Sequence, residues 1–278
     1  MQQKTGLVLE GGAMRGMFTA GVLDIFMEQG VQVDGIIGVS AGALFGVNYP
    51  SNQPGRVIRY SKKYAADPRN MGMRSLLTTG DIVNKEFAYY TVPKKLDLFD
   101  DETFIKAEIP YYAVVTNMET GQPEYLQVKS VFEDMEILRA SASMPFVSRP
   151  VVLNGQKYLD GGISDSIPYQ KFFDMGYERL IVVLTRDLNY VKQPMSKRLI
   201  QLFYHKYPEL KEQLLHRHDN YNQSVQQLKQ LEAEGRVTLI RPSEPIEISR
   251  LEKDPVQLQK VYELGRKDAE QAVRRSRL

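Results

Sequence analysis

Apolar residues follow two periods along this chain, and the switches between them predict its elements. Leu7-Val8-Leu9 is a short unbroken apolar run, the pattern of a strand buried on both faces. A glycine-rich stretch, residues 10–16, separates it from Phe18, Val22, Ile25 and Phe26, which fall on one face of a helix ending near Gly30. Ile36-Ile37-Gly38-Val39 repeats the strand pattern, and residues 41–47 begin a second helix. Strand, helix, strand, helix in this order predicts βαβ units and a mainly parallel sheet.

Residues 49–105 lose both periods, carry Pro50, Pro54, Pro68 and Pro93, and read as helices and loops inserted beside the sheet. Apolar runs on either side of Thr120-Gly121, and again of Asn154-Gly155, predict two β-hairpins, the second ending at Asp160-Gly161-Gly162. A helix is expected over residues 133–142, stopping before Pro145. Leu180-Ile181-Val182-Val183-Leu184 and Val237-Thr238-Leu239-Ile240 are further buried strands, separated by a polar, mostly helical stretch over residues 196–234. Residues 255–277 predict a closing helix with Leu258, Val261, Tyr262, Ala269, Ala272 and Val273 on one face. With no repeat and no linker, a single domain over residues 6–278 is expected.

Composition acts mainly by exclusion. A net charge of +2 over 278 residues gives no field to attract nucleic acid. The absence of cysteine removes disulfides and thiolate metal sites. Met1-Gln2-Gln3-Lys4-Thr5 leads straight into a strand without the apolar core of a signal peptide. No run approaches the roughly 20 apolar residues that span a bilayer. The expectation is a soluble, cytoplasmic protein with no nucleic-acid partner.

Three segments carry candidate chemistry. Gly38-Val39-Ser40-Ala41-Gly42, at a strand-to-helix turn, can present Ser40 as a nucleophile, provided that a base takes its proton. Histidine is the usual base, but His205, His216 and His218 all lie in the charged helical stretch and read as solvated, though a Ser–Asp–His order stays open. Asp160 is the other candidate. An exposed aspartate, with a pKa of about 3.9, is a weak base, and a dry site would strengthen it. It can equally be a turn residue. The third segment, Glu10-Gly11-Gly12-Ala13-Met14-Arg15-Gly16, can aim backbone N–H groups at an anion. Its alternatives are a tight turn without ligand, or a dinucleotide fingerprint with Asp34 as the ribose acid, which would need glycine where Ala13 stands.

Together these segments resemble the patatin-like phospholipase family. Its Gly-Gly-Gly-x-Arg/Lys-Gly motif falls on Gly11, Gly12, Met14, Arg15 and Gly16, with Ala13 replacing the third glycine. Gly-x-Ser-x-Gly falls on residues 38–42, and Asp-Gly-Gly on Asp160, Gly161 and Gly162. Ala140-Ser141-Ala142-Ser143-Met144-Pro145-Phe146 is similar to the segment that precedes the aspartate motif. The likeness, closest to bacterial patatin-like serine esterases, runs from Gly6 to Leu184, with the strand at Val237 fitting its C-terminal part. The resemblance implies a three-layer α/β/α fold around a mainly parallel sheet and a serine acyl hydrolase of phospholipase A type. Ser40 would be the nucleophile and Asp160 the proton acceptor. Backbone amides of Gly11, Gly12 and Ala13 would form the oxyanion hole, supported by Arg15, Gly16, Gly38, Gly42, Gly161 and Gly162. It implies an acyl-enzyme, a lipid or acyl-ester substrate, and no metal or cofactor. The methyl group of Ala13 is expected to alter the fit without abolishing activity.

Two further expectations concern lipid. Tyr60, Tyr64, Met71, Met73, Phe87, Tyr89 and Tyr90 are candidates to line an acyl pocket, ordinary packing being the alternative. The basic end, Arg266-Lys267, Arg274-Arg275 and Arg277, could meet anionic lipid heads on the inner face of a membrane, or be a solvated helix face. A histidine-dependent esterase and an inactive lipid-binding or regulatory protein on the same scaffold are the competing functions.

Overall fold

A computed structural model describes residues 3–276; Met1, Gln2 and Arg277 of the expectations above lie outside the described residues. Among the described residues one sheet holds β1 (Thr5–Leu9), β2 (Gly35–Val39), β3 (Tyr111–Asn117), β4 (Pro123–Gln127), β5 (Val151–Leu153), β6 (Gln156–Asp160), β7 (Arg179–Val183) and β8 (Val237–Ile240). The helices are α1 (Met17–Gln29), α2 (Ala41–Gly46), α3 (Arg56–Tyr64), α4 (Met73–Thr79), α5 (Asp101–Lys106), α6 (Met135–Ser141), α7 (Tyr169–Asp174), α8 (Lys197–Tyr204), α9 (Pro208–Ala233) and α10 (Pro255–Ser276). The inserted region also forms an irregular wide-turn (π) helix, Glu86–Leu96, with Pro93 inside it, which no local signal predicted.

β3, β2, β1, β7 and β8 run parallel, and the hairpins add β4, β5 and β6 antiparallel. Alternation along the strands sorts the core into two sides. Leu7, Leu9 and Ile36 pack with α1 and α10, whereas Val8, Ile37 and Val39 pack with Phe172 of α7 and Tyr221 and Leu228 of α9. Residues two apart on a strand share a face, so a strand apolar throughout carries helices on both sides. The result is the three-layer α/β/α arrangement with a mainly parallel sheet.

The pairing around β3 decides where the chain ends meet. β4 occupies one edge of β3, from Tyr112 to Thr116. On the other edge β2 pairs from Tyr111 to Val114, and β6, running the opposite way, takes over from Val115 to Asn117. The C-terminal ends of β2 and β6 therefore meet head-on: Val39 stands opposite Val114, and Asp160 opposite Val115.

Helix α1 departs from the expected single apolar face. Every residue from Met17 to Phe26 is buried, because α10 packs along it. The approach is close enough that a Cβ on Gly21 would overlap the Tyr262 carbonyl oxygen, and one on Gly265 the Phe18 carbonyl oxygen. Tyr262 donates its hydroxyl to Asp24 at 2.6 Å, and Arg266 pairs with Glu28 at 2.8 Å. Alanine in place of Gly265 should gain about 1 kcal/mol of helix propensity. Overpacking should cost about 1–3 kcal/mol, and the obstruction is backbone that cannot rotate away. Gly265→Ala is thus expected to lower unfolding stability in urea; a gain would contradict the close crossing.

Candidate active site

Ser40 and Asp160, far apart in sequence, are brought together by the meeting of β2 and β6 alongside β3. Ser40 is 8% exposed and Asp160 5% exposed. Ser40 has φ 54° and ψ −123°, an unusual backbone for a residue with a side chain, at the turn from β2 into α2. Two glycines make this turn sterically feasible. A Cβ on Gly42 would overlap the Leu9 carbonyl oxygen, and one on Gly11 would lie 2.8 Å from the Ser40 Cβ. The other motif glycines sit close by: Gly38 ends β2 with Val39, and Gly161 and Gly162 form a single helical turn after β6.

The end of α6 and the segment that follows it tie both residues down. The Ser40 amide donates to Ser141 Oγ at 2.9 Å, and the Asp160 amide to the Ser143 carbonyl at 2.9 Å. Thr116 Oγ1 donates to the Asp160 carbonyl at 2.9 Å. The Asp160 carboxylate accepts the Gly162 amide at 2.8 Å and shares the wall of one polar cavity with Ser40. Burial raises the Asp160 pKa above its ordinary value, against the opposing pull of Arg217, Ser40, Gly162 and Lys192.

The turn after β1 supplies donors. The Glu10 carboxylate accepts the Thr185 amide at 2.6 Å, fixing the start of the turn. Among the described residues, the amides of Gly11, Gly12 and Ala13 donate to no protein acceptor. The next amide, of Met14, donates to the Arg250 carbonyl at 3.4 Å. Ala13 has φ 50°, the left-handed region in which the motif's third glycine costs nothing and alanine about 1 kcal/mol. Arg15 and Gly16 continue the turn; burial pulls the Arg15 pKa down to about 10, and its Nε has no partner among the described residues.

Two cavities meet at Ser40. One, of about 190 Å³, is apolar and includes Leu44, Phe45, Val92 and Leu138 in its wall. The other, of about 80 Å³, is polar and includes Gly11, Gly12, Asp160 and several cations. Ala13, Ser40, Met144 and Arg250 border both. Of the residues expected in an acyl pocket, Tyr60, Met71 and Tyr89 line the apolar cavity. Tyr64 and Phe87 instead pack edge to face against each other, Tyr90 bonds Glu136, and Met73 is exposed.

None of His205, His216 and His218 borders either cavity. Asp34 accepts the Thr5 amide at the opposite end of β2, so it has no role beside the glycine turn. At the basic end Arg266 is paired with Glu28, while Lys267 and Arg275 are exposed. Sequence reasoning missed Arg186, Lys192, Arg217 and Arg250 as neighbours of the site. Arg217 left a trace: it occupies a place in the apolar stripe Leu210, Leu214, Tyr221, Leu228 of α9, where a charge has no business unless it meets a buried polar space.

Lys192 permits a test of the chamber's electrostatics. Burial, reinforced by Arg217, pulls its pKa down to about 7 from the usual 10.5. Between those values the unfolded chain binds the extra proton, so this group's penalty is full below about pH 7, falls as pH rises from there, and is gone above the usual value of 10.5. Lys192→Met is therefore expected to stabilise the protein by about 2 kcal/mol near neutral pH, with the gain shrinking at about pH 10. Urea unfolding at both pH values measures it, and a pH-independent difference would refute the buried-ammonium assignment.

Known proteins match this arrangement. A Patatin-like phospholipase family model matches residues 7–173, and a domain of unknown function (DUF6363) matches residues 207–277. The uncharacterized protein YjjU of Escherichia coli K12 is 28% identical over 270 residues, covering 95% of this chain and 75% of that protein. Lysophospholipase NTE1 of Saccharomyces cerevisiae is 28% identical over 186 residues, 65% of this chain but only 11% of that protein. The Aspergillus fumigatus lysophospholipase nte1 is 28% identical over 64% of this chain and 12% of its own length, so this chain spans a small part of these fungal relatives. VipD of Legionella pneumophila shares the fold, with a TM-score of 0.50 and 11% identity over 99% of this chain and 67% of that one. Among the described residues no helix is long and apolar enough to cross a membrane. With the family model spanning more than half of its length, the chain belongs to the patatin-like phospholipase family and is, with it, a lipid-hydrolysing enzyme.

Proposed function

We propose that the protein is a serine acyl hydrolase of single-chain lipid esters, working through a Ser40–Asp160 dyad. The observation that carries this reading is the position of Ser40 at the junction of an apolar and a polar cavity, with the buried Asp160 beside it in the wall of the polar one. One apolar cavity suits one acyl chain, in keeping with the fungal relatives named lysophospholipases. The chain acts as one unit, since β8 lies in the shared sheet and Arg217 and Arg250 border the site.

The acyl chain enters the apolar cavity and the ester carbonyl stops at Ser40. The Ser40 hydroxyl passes its proton to Asp160 as its oxygen bonds the carbonyl carbon. Negative charge moves onto the carbonyl oxygen, which the unoccupied amides of Gly11, Gly12 and Ala13 receive. The ester C–O bond then breaks, and Asp160 returns the proton to the departing alcohol. Water repeats the sequence on the acyl-enzyme, giving its proton to Asp160, adding to the carbonyl and releasing the fatty acid as Ser40 regains its hydrogen. Exposed Met73 and Leu77 of α4, near Met71 in the cavity wall, are the apolar side chains that meet a lipid surface. A histidine-dependent route finds no histidine at either cavity. An inactive scaffold would have no need of the backbone strain at Ser40.

Ser40→Ala should lower acyl-ester turnover by about a thousandfold or more and abolish labelling by a fluorophosphonate. The variant lacking all three histidines should keep both; its inactivity in a folded state would sink the dyad. Since only ionised Asp160 accepts a proton and its pKa is raised, kcat/KM should fall on the acid side at a pH above the ordinary carboxylate value of about 3.9. An acid limb at the ordinary value would remove Asp160 as the base.

A further inference from the structure

The polar cavity holds more positive charge than ester hydrolysis uses. Arg15, Arg186, Lys192, Arg217 and Arg250 all border it, against the two carboxylates of Glu10 and Asp160. They come from separate parts of the chain: the turn before α1, the loop after β7, α9, and the loop before α10. Among the described residues none of the five lies within 4.0 Å of a carboxylate. Among the described residues Arg217 donates only to the Gly162 carbonyl, and the buried Arg15 Nε has no partner. Glu10 is already committed to the Thr185 amide and hydroxyl. Four of the five are half-buried, and only Arg250 is exposed, at the rim. Cations held together, partly desolvated and in excess of the carboxylates beside them destabilise a fold, and an anion with several oxygens reverses that balance.

The same walls disfavour a quaternary ammonium head. Such a group needs open aromatic faces. Here the ring of Tyr190, which borders the cavity, is covered by Arg186 at 4.1 Å.

We propose that this chamber is the head-group subsite, built for a phosphate monoester on the alcohol part of the acyl ester, and that the C-terminal segment completes it through Arg217 and Arg250. The proposal rests on the serine hydrolase reading for the placement of the acyl chain in the neighbouring cavity. It gives the segment that matches a domain of unknown function a role, since Arg217 and Arg250 both lie within it. The phosphate sits opposite the acyl cavity, with Ser40 and the free amides between the two.

The binding test uses the Ser40→Ala protein at fixed low ionic strength, so that it is independent of turnover. Glycerol phosphate at millimolar concentration should raise Tm by several degrees, more than inorganic phosphate or glycerophosphocholine does. The rise should vanish in Ser40→Ala combined with Arg186→Gln and Arg250→Gln, and return in part when both arginines are replaced by lysine. In the turnover test, monoacylglycerol phosphate should exceed both monoacylglycerol and the choline lysolipid of equal acyl chain by about tenfold or more in kcat/KM, in neutral detergent micelles. That ratio should fall toward one in Arg186→Gln and in Arg250→Gln, and stay unchanged in Lys197→Gln, an exposed cation away from both cavities. Equal Tm rises with and without the two arginines, a rise as large with inorganic phosphate, or equal kcat/KM for the three heads would overturn the proposal. A head-selective Tm rise without turnover of any ester would uphold the subsite and overturn the hydrolase reading instead.

Discussion

The architecture of this site depends on one edge of β3 being shared by two strands that run toward each other. β2 pairs with its first half and β6 with its second, so neither strand can continue past the other. Each chain must leave the sheet at the point of meeting, β2 into α2 and β6 into a glycine turn. A single edge therefore sets the position of Ser40 against Asp160, with ladder hydrogen bonds on both sides acting as the ruler. α6 and the residues after it lock the result, with Ser141 holding one partner and Ser143 the other. Sites mounted on strand ends in this way need little adjustment from loops, which is why Ser40 and Asp160 stay together beside an irregular insertion.

Energetically the site runs against the rest of the molecule. The layers on both sides of the sheet are apolar and close-packed, and the α1–α10 crossing is so tight that only hydrogen atoms fit at Gly21 and Gly265. Where the strands leave the sheet, the protein instead buries a carboxylate, groups five cations against two carboxylates, and holds Ala13 and Ser40 at positive φ. Each of these features destabilises, and they are concentrated within one small volume. Such local concentration marks a site whose strain is balanced by the stability of a large core.

Much of this was legible in the sequence because the information is local. The apolar runs gave the strands, Asn154-Gly155 gave a hairpin turn, and the three glycine motifs gave the neighbourhoods of Ser40, Asp160 and the free amides. What escaped was non-local. A helical period reveals one apolar face, and nothing in α1 itself announces that α10 covers another; Gly21 and Gly265 are the only trace. The polar stretch over residues 196–234 read as solvated because its charges dominate, although Arg217 interrupts the apolar stripe of α9. Arg186, Lys192 and Arg250 lie in loops, where charge is common and carries no positional signal. The handover on β3 was illegible for the same reason, since register between distant strands is not written in either of them.

The shared edge of β3 also separates what can change during divergence from what cannot. The insertion between α2 and β3 builds half of the apolar cavity wall, while the chain after β7 brings most of the cations of the polar one. Neither takes part in the pairing that brings β2 and β6 together. Lineages can therefore lengthen, shorten or recharge either wall as separate modules, while the meeting of the two strand ends passes unaltered from one descendant to the next.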